Sequence, residues 1–141
     1  MALKVELKPG ERFILGDSVI TNGKHRGQLF IEGDAPVLRE KDILTPDNAD
    51  TPCKKLYLTV QLMYLGPDPE SLHAQYFQMV EQIQAAAPST LPYIERINNQ
   101  ILTSSFYKAL REAKLLINYE SELLNHAKRS DGLQPDGENN E

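Results

Sequence analysis

The run from Arg39 to Leu65, REKDILTPDNADTPCKKLYLTVQLMYL, separates two hydrophobic periods and so restricts what the chain can fold into. Ahead of it, Leu3, Val5 and Leu7 alternate with Lys4, Glu6 and Lys8, the pattern of a half-buried strand. Beyond it, Leu72, Tyr76, Met79, Ile83 and Ala86 recur at spacings of four, three, four and three, the seam of a helix. Within the run, a charged strand end, Arg39 to Asp42, gives way to a connector rich in Pro and Asp. A segment from Leu56 to Leu65 follows in which only Thr59 and Gln61 are clearly polar. A helix apolar on nearly every side has to be buried, so this one is expected between the sheet and the later helices. The expected fold class is α+β. A small N-terminal antiparallel β module covers 1–44, a connector 45–51, and a module of about four helices 52–128. An acidic tail over 129–141, almost without apolar side chains, is expected to be disordered.

Turn residues divide the first module into five short strands. Pro9-Gly10 separates Leu3–Leu7 from Arg12–Leu15, and Gly16-Asp17 precedes Ser18–Thr21. Asn22-Gly23 predicts a type I′ hairpin leading into Arg26–Glu32, and Gly33-Asp34 precedes Val37–Glu40. A meander or small antiparallel sheet is the simplest arrangement. In the second module Thr51-Pro52 is a helix start, a capping hydroxyl before a proline in the first turn, and Gly66-Pro67 is its stop. Ser89 or Thr90 can cap a helix carrying Leu91, Ile94, Ile97 and Ile101. Phe106, Leu110, Ala113, Ile117 and Leu124 keep helical phase through a last long helix, where Glu120 interrupts the apolar stripe.

Charge is unevenly placed. The net charge is −5, yet the chain up to residue 129 is nearly neutral and the acidity lies in the tail. Nucleic-acid contact would therefore need a local basic patch. One cysteine, Cys53, excludes an internal disulfide, and no apolar run reaches the ~18 residues of a membrane span. With no targeting segment at the start, the cytoplasm is the expected location.

No Gly-rich phosphate loop, serine nucleophile elbow or paired-carboxylate motif is present, and His25, His73 and His126 lack ligand spacing. No enzyme activity, metal or cofactor is expected. Cys53 lies beside Lys54 and Lys55 in a first helical turn, a setting that lowers a thiol pKa, but without a positioned base an incidental role is expected. The same two lysines could add to the anion affinity of the helix N-terminus, but Asp47 and Asp50 partly cancel their field and solvated side chains are the preferred reading. The candidates for RNA contact are Lys4, Lys8, Arg12, Lys24, Arg26, Phe30, Arg39 and Lys41. Their cations would attract phosphate, and Phe30 would stack an unpaired base if Leu29 and Ile31 point inward. A solvated strand face whose lysines deter edge pairing accounts for the same residues. The helical aromatics Tyr76, Phe77, Phe106, Tyr107 and Tyr119 are read mainly as core; any stripe left exposed suits a homo-oligomer or a helical partner.

Three segments carry a resemblance: Leu7-Lys8-Pro9-Gly10-Glu11, then Arg39 to Leu44, then Thr51-Pro52 leading into Leu56-Tyr57 and Gln61 to Leu65. In order and spacing they resemble the FlbT family of flagellum-biosynthesis regulators, over roughly residues 3–128. The resemblance implies a non-enzymatic post-transcriptional regulator that associates with the 5′ untranslated region of flagellin mRNA, repressing its translation or promoting its decay. An adaptor or chaperone-like protein that binds flagellin or a FlaF-type co-regulator through its helical face is the alternative. A fainter likeness, in the turn residues Pro9 to Glu11, Gly16-Asp17 and Asp34 to Pro36, links the β module to CsrA-type translational regulators.

Overall fold

The computed structural model describes residues 2–132 and has five strands followed by four α-helices. The strands are β1 (Leu3–Leu7), β2 (Arg12–Leu15), β3 (Ser18–Thr21), β4 (Gly27–Ile31) and β5 (Val37–Arg39). The helices are α1 (Pro52–Leu65), α2 (His73–Ala86), α3 (Leu91–Leu102) and α4 (Phe106–Gly132), with single 3-10 turns at Glu40–Asp42, Pro69–Leu72 and Pro88–Thr90. The expected α+β class is the observed one.

The strands do not form a meander. β1 pairs with β4 in a two-stranded ribbon, with Leu3 opposite Ile31 and Leu7 opposite Gly27. β2 is the centre of a separate three-stranded sheet ordered β3-β2-β5, antiparallel throughout. The β2–β3 hairpin turns on Gly16-Asp17, where Gly16 takes φ +63, as a type II′ turn requires of its first central residue. The hairpin expected at Asn22-Gly23 is absent, and neither residue has positive φ. Asn22 spends its amide on other carbonyls, those of Lys8 and His25, each at 2.8 Å, and of Leu7 at 3.3 Å. It thus pins the β3–β4 crossing to the end of β1.

Alternation along β2 makes the three-stranded sheet a middle layer. Phe13 and Leu15 face the ribbon, packing with Val5, Leu7, Ile20, Ile31 and Val37. Ile14 faces the other way and, with Leu38 of β5, joins the helical core. That larger core is built around α1, whose Cys53, Leu56, Tyr57, Val60 and Met63 are buried among residues of α2, α3 and α4. α1 is less uniformly buried than its composition predicts, since Leu62 is half exposed. Thr90 does not cap α3; its hydroxyl donates to the Ala87 carbonyl at 2.7 Å. α4 continues through 129–132, the first residues of the expected tail, and the rest of that tail lies outside the described residues.

The polar exceptions on α1 fasten it to the sheet. Tyr64 Oη donates to the Val37 carbonyl and accepts from the Val37 amide, both at 3.0 Å. Gln61 does the same for Leu44, its Nε2 reaching the carbonyl at 3.0 Å and its Oε1 the amide at 2.9 Å. Tyr57 Oη donates to the Asp42 carbonyl. Residues 57, 61 and 64 follow one another at i, i+4 and i+7, so one row of α1 satisfies backbone groups from β5 to the connector. Gln61→Leu keeps comparable bulk but strands both Leu44 groups, and is expected to lower unfolding stability by about 2–4 kcal/mol in urea titration.

Candidate functional site

Each of the eight candidate side chains has a defined setting. Lys4 and Phe30 are cross-strand partners on the outer face of the ribbon, beside the pair Glu6 and Gln28. Phe30 is 67% exposed, as base stacking requires. On the opposite face Val5 is buried while its partner Leu29 is still 37% exposed, so the inward position of Leu29 is only partly covered. Lys8 lies beyond the end of β1 rather than on it, in a turn where its carbonyl accepts from the Glu11 amide at 3.0 Å. Arg12, Lys24 and Arg26 are exposed, Arg26 one residue before β4 begins. Lys24 and Arg26 are therefore near the Leu7–Gly27 end of the ribbon.

Arg39 is different. Its Nη2 donates to the Glu6 carbonyl at 2.8 Å and lies 3.8 Å from Glu11 Oε2, so it ties β1 to the three-stranded sheet. Its Nε is buried without a partner among the described residues. Lys41 lies in the 3-10 turn after β5 and is exposed. Arg39 and Lys41 border a recess of about 500 Å³ whose opposite wall is α4, through Tyr107, Leu110, Arg111, Lys114 and Leu115. A second recess of about 430 Å³ adjoins it and brings in Lys4, Val37 and Tyr64, again with Arg39 and Tyr107. The β module and the front half of α4 thus enclose a cleft, and of the eight candidates Lys4, Arg39 and Lys41 line it.

Helical spacing places Tyr107 in the core and singles out neither Arg111 nor Lys114, whereas in the structure all three line the cleft. Tyr107 is 44% exposed, its ring centroid 5.7 Å from that of Tyr64. Tyr107, Arg111 and Lys114 recur at i, i+4 and i+7, a basic and aromatic stripe visible in the sequence once α4 is oriented. Lys114 Nζ donates to Asp42 Oδ1 at 2.6 Å, bridging the cleft floor. Lys41 and Arg111 have no ion-pair partner among the described residues.

The N-terminus of α1 already holds an anion, supplied by the chain. Glu120, the residue that breaks the α4 stripe, accepts from the Thr51 hydroxyl and, at 3.1 Å, from the Cys53 amide, while Thr51 Oγ1 accepts from the Lys54 amide at 3.2 Å. Lys54 pairs with Asp50 at 3.2 Å. This arrangement reverses the pKa shift that the two neighbouring lysines alone would give Cys53. Burial, then the Glu120 charge, pushes its thiol up from 9.0 to about 12. The folded chain therefore favours the neutral thiol, and that contribution to stability is complete below pH 9 and is lost as pH rises toward 12. No group of three or more His, Cys, Asp or Glu suited to a metal occurs among the described residues, and no described helix is long and apolar enough to cross a membrane.

Comparison with known proteins decides the family. The family model of the flagellar protein FlbT matches residues 3–124. The chain belongs to the FlbT family. It is 56% identical over 124 residues to the "Probable flagellum biosynthesis repressor protein FlbT 1" of Bradyrhizobium diazoefficiens, covering 87% of this chain and 85% of that one. It is 50% identical to an FlbT of Rhodopseudomonas palustris, covering 88% of this chain and 98% of the other. The "Flagellum biosynthesis repressor protein FlbT" of Caulobacter vibrioides is 36% identical, with 98% and 99% covered. No solved structure matches the chain.

Three outcomes follow from these FlbT side chains. Arg39→Ala is expected to lower stability by about 1–3 kcal/mol through loss of a charged hydrogen bond between sheets. Phe30→Ala should stay within about 0.5 kcal/mol, both read by denaturant titration. Cys53 is expected to resist a thiol reagent such as DTNB at pH 8 in the native protein and to react at once in guanidinium, followed by absorbance.

Proposed function

We propose that this FlbT protein restrains flagellum biosynthesis by associating with the 5′ untranslated region of flagellin mRNA, limiting translation or exposing the message to nucleases. The observation that carries the reading is the convergence of basic side chains from both halves of the chain, Arg39 and Lys41 with Arg111 and Lys114, on one tyrosine-lined cleft. It supports RNA contact because the chain as a whole lacks the positive balance of a nonspecific binder, and binding then depends on a local concentration of cations. The names of the relatives supply the process, since they are repressors of flagellum biosynthesis. The role is one of occlusion or recruitment, with no bond made or broken by the protein.

A second reading, an adaptor for flagellin or for a FlaF-type co-regulator, draws on the exposed Leu102 and Leu124 of the helical half, 70% and 54% accessible. The two separate in one experiment. Purified protein is titrated into labelled flagellin leader RNA at several salt concentrations, with anisotropy as readout. Leader binding should weaken with salt, log K falling by about 0.7 per log unit for each phosphate contacted on a single strand. Absence of any leader binding, together with a stoichiometric complex with purified flagellin, overturns the RNA reading in favour of the adaptor.

A further inference from the structure

We propose that the cleft between the β module and α4 is a site for an unpaired stretch of RNA, with Tyr107 as the stacking surface and Lys41 and Arg111 as phosphate contacts. This rests on the leader-RNA reading and adds the site, the class of ligand and the residues of α4.

Tyr107 carries the argument because it borders three adjoining recesses. Two are the recesses of about 500 and 430 Å³ facing Arg39 and Lys41 and facing Lys4 and Tyr64. The third, about 490 Å³, runs along Ser104, Ser105 and Lys108 at the start of α4. Together they form a track past one aromatic ring, not a closed pocket for a small molecule. The ring is 44% exposed, held from one side by Tyr64 at 5.7 Å, and its hydroxyl makes no hydrogen bond among the described residues. Tyr57 and Tyr64, by contrast, use their hydroxyls on the backbone of Asp42 and Val37.

Charge along the track favours a polyanion. Lys41, Lys108 and Arg111 make no ion pair among the described residues, and the acid of the first recess, Asp42, is already engaged by Lys114. Asp34 on the third recess is the opposing charge. Base pairing decides between single and double strands. In a duplex the base faces are covered by their neighbours, so a lone tyrosine can stack only on a base that has left the helix.

The test uses the full chain and anisotropy of labelled flagellin leader RNA, single-stranded and annealed to its complement. Wild type should bind the single strand more tightly. Lys41→Ala with Arg111→Ala should weaken it at least about tenfold and flatten the salt slope by about 1.4, the value for two lost phosphates. Tyr107→Ala should weaken binding about tenfold, and Tyr107→Phe should restore it. Circular dichroism checks folding; the doubly charged-to-alanine variant alters only exposed groups and stands as an independent reading if Tyr107→Ala unfolds.

Unchanged leader affinity in Lys41→Ala with Arg111→Ala, with loss in Lys8→Ala with Arg26→Ala, overturns the cleft and leaves leader binding intact, moved to the ribbon. Equal affinity for duplex and single strand overturns the unpaired-base assignment. Loss of flagellin binding by the cleft variants with RNA affinity unchanged assigns the cleft to a protein and overturns the proposal. No binding of leader RNA by wild type overturns the leader reading and the cleft together.

Discussion

The fold depends on a row of three side chains on one helix. Tyr57, Gln61 and Tyr64 bind the backbone of Asp42, Leu44 and Val37, so α1 acts toward β5 and the residues just after it much as a neighbouring strand would. Val37 lies on the outer edge of the three-stranded sheet, and Tyr64 gives its amide and carbonyl the partners that a further strand would have supplied. The row therefore closes an edge that would otherwise invite another chain. It also sets the distance and angle between the β module and the helices. The cleft exists because β5 is held at α1 while α4, also packed against α1, runs beside it.

Local chemistry was the legible part of the sequence, and long-range pairing was not. The five strands could be located because alternation and turn residues act over a few positions. Which strands pair depends on where the amide of Asn22 goes, and a hairpin turn and a carbonyl-bonding side chain use the same Asn-Gly letters. The α1 cap at Thr51-Pro52 was readable for the same local reason. Thr90 illustrates the opposite case, a residue of capping type whose hydroxyl has a nearer acceptor in Ala87. The candidate site shows the same division. Lys4, Arg39 and Lys41 could be named from the β module, but their companions lie some seventy residues away on a helix face whose orientation only packing determines. A basic and aromatic stripe at helical spacing on α4 was present in the letters. Nothing in them said which way it faced.

Two groups gained meaning only from their surroundings. Arg39 reads as a solvent-facing cation at a strand end, yet it joins the ribbon to the sheet through the Glu6 carbonyl. Cys53 sits beside two lysines that by themselves would lower its thiol pKa, yet burial and the Glu120 carboxylate hold it neutral. In both, the nearest neighbours in space, not in sequence, determine the chemistry.

The contact between Glu120 and the start of α1 spans almost half the chain, and this bears on how the protein is made. α1 carries the row that organises the β module, but its first turn receives its carboxylate partner only from residue 120. On a ribosome, everything from β1 to α3 is synthesised before that partner exists. The central helix is therefore completed late, and the cleft wall formed by α4 arrives in the same stretch of chain as the group that secures α1. The cleft and the scaffold beneath it therefore wait on the same stretch of chain, α4.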